Sequence, residues 1–350
     1  MELTHGGDWA GYQKEYGALP LDFSASISPL GLPEGVRQAA AEALAQVHRY
    51  PDPLCRALRD ALAQRYGVAA ERIVCGNGAA DLIYRLVLAR HPRKALITAP
   101  TFSEYEQALE TVGCQVLPFA LRAEKCFDVT GEILDLITPG LDMLFLCEPN
   151  NPTGRKTAPE LLRRILDACA RCGTLSVIDE CFVDFMDEPS AHTLVRELDS
   201  YPDLVILRAF TKRYAMAGLR LGYALCGSEA QAEAICRCGQ PWPVSTPAQA
   251  AGLAALHEDR YDAQLGRLIR EQRLRLRGAL TELGCRVVPG EANYLLFYHE
   301  DTSLGKKLRE RGILLRECGN YNGLGPGWYR TAVRTEKENG VLLKTLKEVL

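Results

Sequence analysis

The chain has 350 residues, 24% charged and 47% hydrophobic, with a formal net charge of −3. That make-up fits a globular protein of about two domains and lacks the polybasic field of a nucleic-acid binder. No apolar run is long enough to span a bilayer and no basic-then-apolar leader follows Met1, so a cytoplasmic protein with no membrane partner is expected.

Residues 1–31 show little periodicity. Pro33 opens a helical pattern through Val47, and two prolines stiffen the loop at 49–53. Leu54, Leu58 and Leu62 share one face of a helix that Gly67 ends. Short apolar runs then alternate with helical patterns. Strands are expected at 73–75, 95–98, 143–147, 175–178, 204–207 and 223–226, with helices at 79–89, 103–112 and 159–172. This rhythm predicts an α/β fold whose large domain holds a mostly parallel sheet flanked by helices. After Ala230 the rhythm changes. A charged helix at 259–283, strands at 285–288, 294–298, 313–317 and 328–333, and a last helix at 337–350 predict a smaller α+β domain.

Thirteen cysteines in so long a chain do not make a disulfide scaffold. Cys75, Cys114, Cys147 and Cys226 flank apolar runs and read as small core residues. Cys169 with Cys172, and Cys236 with Cys238, have the ligand type for zinc. Both pairs fall in helix-like stretches without a second pair at zinc-ribbon spacing, so no metal is expected.

In an open α/β sheet, ligands bind beyond the carboxyl ends of the strands. Lys212 lies just past the run at 204–207, where an amine can be desolvated and freed as a nucleophile. Arg220, between Gly218 and Gly222, has the fork that binds phosphate. A Schiff-base lysine and a phosphate arginine together suggest pyridoxal phosphate, although a solvated basic loop would carry the same two residues. Gly76-Asn77-Gly78-Ala79-Ala80 joins a strand to a helix N-terminus, which suits a phosphate or a plain tight turn. Phe102 could stack on a flat ring or sit in the core. Asn151 could donate to a phenolic oxygen or merely make a turn. Asp179 could pair with a protonated ring nitrogen or cap a helix.

PNNPTG at 149–154, VIDE at 177–180, TKRYAMAGLRLGY at 211–223 and the glycine turn together resemble the fold-type I enzymes of the class I/II aminotransferase group. The resemblance covers essentially the whole chain. It implies pyridoxal 5'-phosphate (PLP) held covalently by Lys212, with Asp179 at its ring nitrogen, Asn151 at its phenolic oxygen and Phe102 on its face. Ala79, Ala80, Thr211 and Arg220 would hold its phosphate. A homodimer is also implied, with Tyr50 reaching the neighbour's cofactor phosphate. The domains are then expected at 1–40 (arm and part of the small domain), 41–235 (large PLP-binding domain) and 236–350 (small domain).

HGG at 5–7, DFSASISPLG at 22–31, HRYPDP at 48–53, ANYLL at 292–296 and ECGNYNGL at 317–324 are similar to the threonine-phosphate decarboxylase family. Those enzymes make aminopropanol phosphate for the nucleotide loop of cobalamin, and histidinol-phosphate aminotransferases are their siblings. This resemblance implies that Arg330 binds a substrate carboxylate and that Arg316 and His5 lie near a substrate phosphate, with Ser26 and Asn151 also at the substrate. Phe182 stands where most transaminating relatives carry a tyrosine, which favours decarboxylation. Ser26 and Ser28 replace asparagines, which leaves L-serine phosphate open as a substrate. Ala209 replaces a small hydroxyl residue and removes one phosphate contact. A small rotation of the substrate decides between decarboxylation and transamination, which the same residues serve. A non-enzymatic PLP-binding regulator would carry a DNA-binding extension, and none is expected here.

Overall fold

A computed structural model describes residues 5–350, so the start of the expected arm, residues 1–4, lies outside the described residues. Asp8 caps α1 (Trp9–Tyr16), its carboxylate accepting from Gly11 N at 3.0 Å. After β1 (Leu21–Asp22), α2 (Glu34–Ala43) starts directly behind Pro33, and α3 (Arg56–Tyr66) stops at Gly67.

The alternating part follows. It comprises β2 (Ile73–Gly76), α4 (Gly78–Arg90), β3 (Lys94–Ala99), α5 (Glu104–Glu110), β4 (Gln115–Ala120) and β5 (Met143–Cys147). Next come α6 (Pro159–Cys172), β6 (Leu175–Asp179), the short α7 (Pro189–His192), β7 (Leu204–Ala209), the single-turn α8 (Phe210–Arg213), β8 (Gly222–Cys226) and α9 (Glu229–Arg237). The seven strands from β2 to β8 form one sheet in the order β2-β8-β7-β6-β5-β3-β4. Of the seven strands, β8 alone runs opposite to the other six. Strands β5 and β6 are buried at every residue, as is β7 up to Arg208, because helices cover both faces; that is why they read as unbroken apolar runs. The edge strand β4 was not anticipated. It is half-exposed and contains Pro118, which is tolerated only at an edge or a bulge.

The remainder holds α10 (Thr246–Ala255), the 24-residue α11 (Asp259–Glu282), β9 (Arg286–Val287), β10 (Tyr294–Tyr298) and α12 (Leu304–Arg309). It ends with β11 (Ile313–Leu314), β12 (Arg316–Glu317), β13 (Trp328–Ala332) and α13 (Glu336–Val349). Antiparallel strands make a second sheet in the order β12-β13-β10-β9, while β11 pairs in parallel with β1. The single strand expected at 313–317 is therefore two strands serving two sheets. Thr335 and Glu338 close a capping box at the start of α13.

Helix α10 packs on α2 and α3, so a boundary at residue 235 would cut a packed unit. We propose that the smaller domain begins with α11 and takes in β1. Among the described residues no helix is long and apolar enough to cross a membrane.

Candidate active site

Lys212 stands on the turn that follows β7, and its flanks are locked. Arg208 pairs with Glu180 at 2.8 Å and Asp184 at 3.1 Å; Arg213 pairs with Asp184 at 2.7 Å and donates to Asp262 at 2.6 Å. Asp262 lies on α11, so this buried network ties the lysine's turn to the long helix. Nζ of Lys212 lies 5.8 Å from the Phe182 ring centroid. Burial, and after it the charge of Arg330, lowers the lysine's pKa to about 8.

Asp179 closes β6 and is only 5% exposed. Its carboxylate accepts from Tyr105 Oη at 2.6 Å and from Cys181 N at 2.9 Å, which fixes both oxygens. Burial, with Asp179 next, pushes the Tyr105 hydroxyl well above its usual range, so it stays a donor. Tyr105 in turn stacks on Phe145 of β5 at 4.9 Å.

The α4 N-terminus forms the cradle. A Cβ on Gly78 (φ 81°) would lie 2.7 Å from Arg220 Nη2, and one on Gly222 would lie 2.5 Å from Ala79 N. Only glycines let the arginine, the helix start and β8 meet this closely. Arg220 itself has φ 57°, a left-handed conformation that costs a non-glycine residue about 1–3 kcal/mol and is held by its surroundings.

The four-stranded sheet supplies the opposite wall. Arg330 of β13 donates from Nη1 to Asn151 Oδ1 and from Nη2 to Ser24 O at 3.0 Å, and its guanidinium lies 5.2 Å from the Tyr294 ring centroid. Tyr294 Oη donates to Asn150 O at 2.9 Å, which pins the PNNPTG loop to β10. Arg316 donates from Nη2 to Asn320 Oδ1 at 3.0 Å and lies over Tyr321. His5 Nε2 donates to Glu104 Oε1 at 2.8 Å. Phe102 lies edge-on to Tyr105, with ring centroids 5.6 Å apart.

Lys212, Asp179, Arg220, Arg330, Arg316 and His5 face one cavity of about 460 Å³, and every site residue expected from the sequence lines it except Tyr50. Tyr50 points outward, 79% exposed, and stacks on Trp242 at 4.3 Å, so within one chain it does not reach the site. Ser26 lines the cavity with a buried hydroxyl that has no partner among the described residues. Ser28 does not line it: its hydroxyl pairs with Tyr261 Oη at 2.5 Å and its N–H donates to Lys212 O at 2.9 Å. Cys147, read as a core residue, is buried but also lines the cavity, as does Cys181. The sequence reading missed Glu104 and Tyr105. Their only local signal was a place on the helix that follows Phe102.

This donor set fits PLP. A glycine cradle at a helix start, beside an arginine, would take the phosphate. A buried, oriented carboxylate would take the ring nitrogen, and a largely desolvated amine would take the aldehyde.

Comparison with known proteins agrees with this geometry. A model of the aminotransferase class I and II family matches residues 20–346. The chain belongs to that family, and it is a PLP-dependent enzyme of fold type I. It is 38% identical to the threonine-phosphate decarboxylase of Salmonella typhimurium, across 99% of this chain and 96% of that one. It is 36% identical to the histidinol-phosphate aminotransferase of Symbiobacterium thermophilum, across 92% of this chain and 88% of the other. Among solved structures, the histidinol-phosphate aminotransferase from Clostridium acetobutylicum superposes with a TM-score of 0.88 at 29% identity, covering 94% of this chain and 98% of that one.

Proposed function

We propose that the protein decarboxylates L-threonine O-3-phosphate to (R)-1-aminopropan-2-yl phosphate, the building block for cobalamin's nucleotide loop, as a cytoplasmic homodimer. One observation carries the reading. Arg316 and Arg330 are direct cross-strand partners on β12 and β13, and both line the cavity. Like charges placed opposite each other on a sheet destabilise it. A ligand with two anionic groups relieves that repulsion, and an amino acid bearing a carboxylate and a phosphate is such a ligand.

In this reading Ala79, Ala80, Thr211 and Arg220 hold the cofactor phosphate, Asp179 its ring nitrogen, Asn151 its phenolic oxygen, Phe102 its face and Lys212 its aldehyde. The bound cofactor supplies an electron sink for the charge left at Cα. Arg330, fixed by Asn151 and Ser24, grips the substrate carboxylate and sets the angle of the bond to be broken. Arg316 and His5 receive the phosphate, and Ser26 lies beside the substrate. Lys212, with its pKa near 8, can hold or return a proton at Cα near neutral pH. Phe182 is 7% exposed and presents an apolar ring to the cavity where a tyrosine would bring a hydroxyl, which favours loss of carbon dioxide over proton shuttling.

A second reading, histidinol-phosphate transamination, draws support from the 36% identical relative. The unpartnered Ser26 hydroxyl keeps L-serine phosphate as a competing substrate. The dimer is supported by an outward apolar set that includes Leu44, Val47, Tyr50, Leu54 and Trp242.

Arg316→Ala tests the assignment, with carbon dioxide release as the readout. A charge-assisted hydrogen bond contributes about 1.5–3 kcal/mol, roughly tenfold to more than a hundredfold in binding. The variant should bind L-threonine phosphate more weakly by that factor and leave the poor substrate L-threonine unchanged. Equal weakening of both would mean that Arg316 only ties its own loop through Asn320.

A further inference from the structure

The active-site cavity adjoins a second one of about 520 Å³, and His5, Gly6, Ser24 and Arg316 line both. Residues 5–8 therefore form a strap between the two. On the smaller-domain side, Gly7 N donates to Ser24 Oγ at 2.7 Å, and Ser24 Oγ donates to Asp22 Oδ1 at 2.6 Å. On the large-domain side, His5 Nε2 donates to Glu104 Oε1 at 2.8 Å, and its ring lies 5.9 Å from that of Phe102.

Glu104 is built in more firmly than its partner. Its side chain is 14% exposed against 48% for His5, and Oε2 accepts from Tyr84 Oη of α4 at 3.3 Å. It is the first residue of α5, two positions after Phe102 and next to Tyr105, the donor to Asp179. Contact with His5 lowers its pKa, which keeps it an acceptor at neutral pH. The chemistry proposed for the cavity gives this carboxylate no task, and an anion beside a phosphate pocket would by itself repel the substrate.

We propose that Glu104 is a positioning residue: through His5 it latches the strap over the active site and presents the imidazole to the substrate's phosphate. The inference rests on the phosphorylated substrate proposed above. The strap can act as a gate because Gly6 and Gly7 carry no side chains and Gly7 sits at φ 93°. Half-exposed pairs of this kind are weak, so the latch is poised to open rather than fixed.

The test is a double-mutant cycle on the holoenzyme, paired with amide exchange on the apoprotein. Glu104→Ala should raise KM for L-threonine phosphate about three- to fivefold, the size expected of such a pair, with kcat within about twofold. KM for unphosphorylated L-threonine should not move. In a His5→Ala background the Glu104 change should add nothing, because coupled partners are non-additive. Glu104→Gln, which still accepts from His5, should stay within about twofold of the wild type. In the apoprotein, exchange at the Gly7 amide should speed up in Glu104→Ala by a similar factor. Additive effects, equal losses on both substrates, tighter phosphate binding or unchanged Gly7 exchange would each overturn the inference. A wild type inactive on L-threonine phosphate would overturn the functional reading instead, and Gly7 exchange would still decide the latch.

Discussion

Lys212→Ala should abolish turnover while the protein still binds some cofactor through Asp179, Asn151 and Arg220. Among the described residues Lys212 is the only lysine lining the cavity. With a pKa of about 8, roughly a tenth of its amines are neutral at pH 7, against about one in three thousand for a lysine at 10.5. Borohydride reduction of the wild type should leave a pyridoxyl group on the peptide that carries Lys212. The depressed pKa also has a stability cost of known sign. The unfolded chain holds this proton more tightly than the fold does, so the buried lysine destabilises the apoprotein below pH 8. That cost fades as pH rises from about 8 to 10.5. It amounts to on the order of 3 kcal/mol at neutral pH. Lys212→Met should therefore raise the apoprotein's melting temperature at pH 7 and lose that advantage above pH 11. Unimpaired turnover in the alanine variant would refute the assignment.

Asp179→Asn should cost nearly as much. The substitution keeps the shape of the side chain and loses its charge, in a site where Tyr105 and Cys181 already orient both oxygens. Breaking a buried charge pair costs about 3–5 kcal/mol, and each 1.4 kcal/mol of barrier is about tenfold in rate. A drop of roughly two to four orders of magnitude in kcat/KM is expected, with the fold intact because the asparagine still accepts from Tyr105. A drop of less than tenfold would mean that the carboxylate only caps its turn.

Much of this site was legible because its residues lie in short continuous motifs at strand ends. The buried runs of β5, β6 and β7 are apolar on both faces, so their ends, and with them Asn151, Asp179 and Lys212, could be placed from the sequence alone. Contacts made across the chain could not. Arg316 and Arg330 are fourteen residues apart and become neighbours only through the β12–β13 register. His5 and Glu104 are separated by 99 positions. Ser28 was named with Ser26 because both stand where the resembled family carries asparagines, yet its hydroxyl pairs with Tyr261 instead. The short helix α12 and the edge strand β4 gave little periodic signal, and α10 was missed because its alanine-rich sequence has no polar face to set a period.

The central claim is the fate of the substrate's carboxylate, and product analysis tests it most directly. The holoenzyme is incubated with L-threonine O-3-phosphate, and separately with histidinol phosphate and 2-oxoglutarate. Carbon dioxide and 1-aminopropan-2-yl phosphate should appear in equal amounts in the first, with little glutamate formed in the second. Rapid glutamate formation from histidinol phosphate, with no carbon dioxide released from L-threonine phosphate, would contradict the account and make the protein a transaminase.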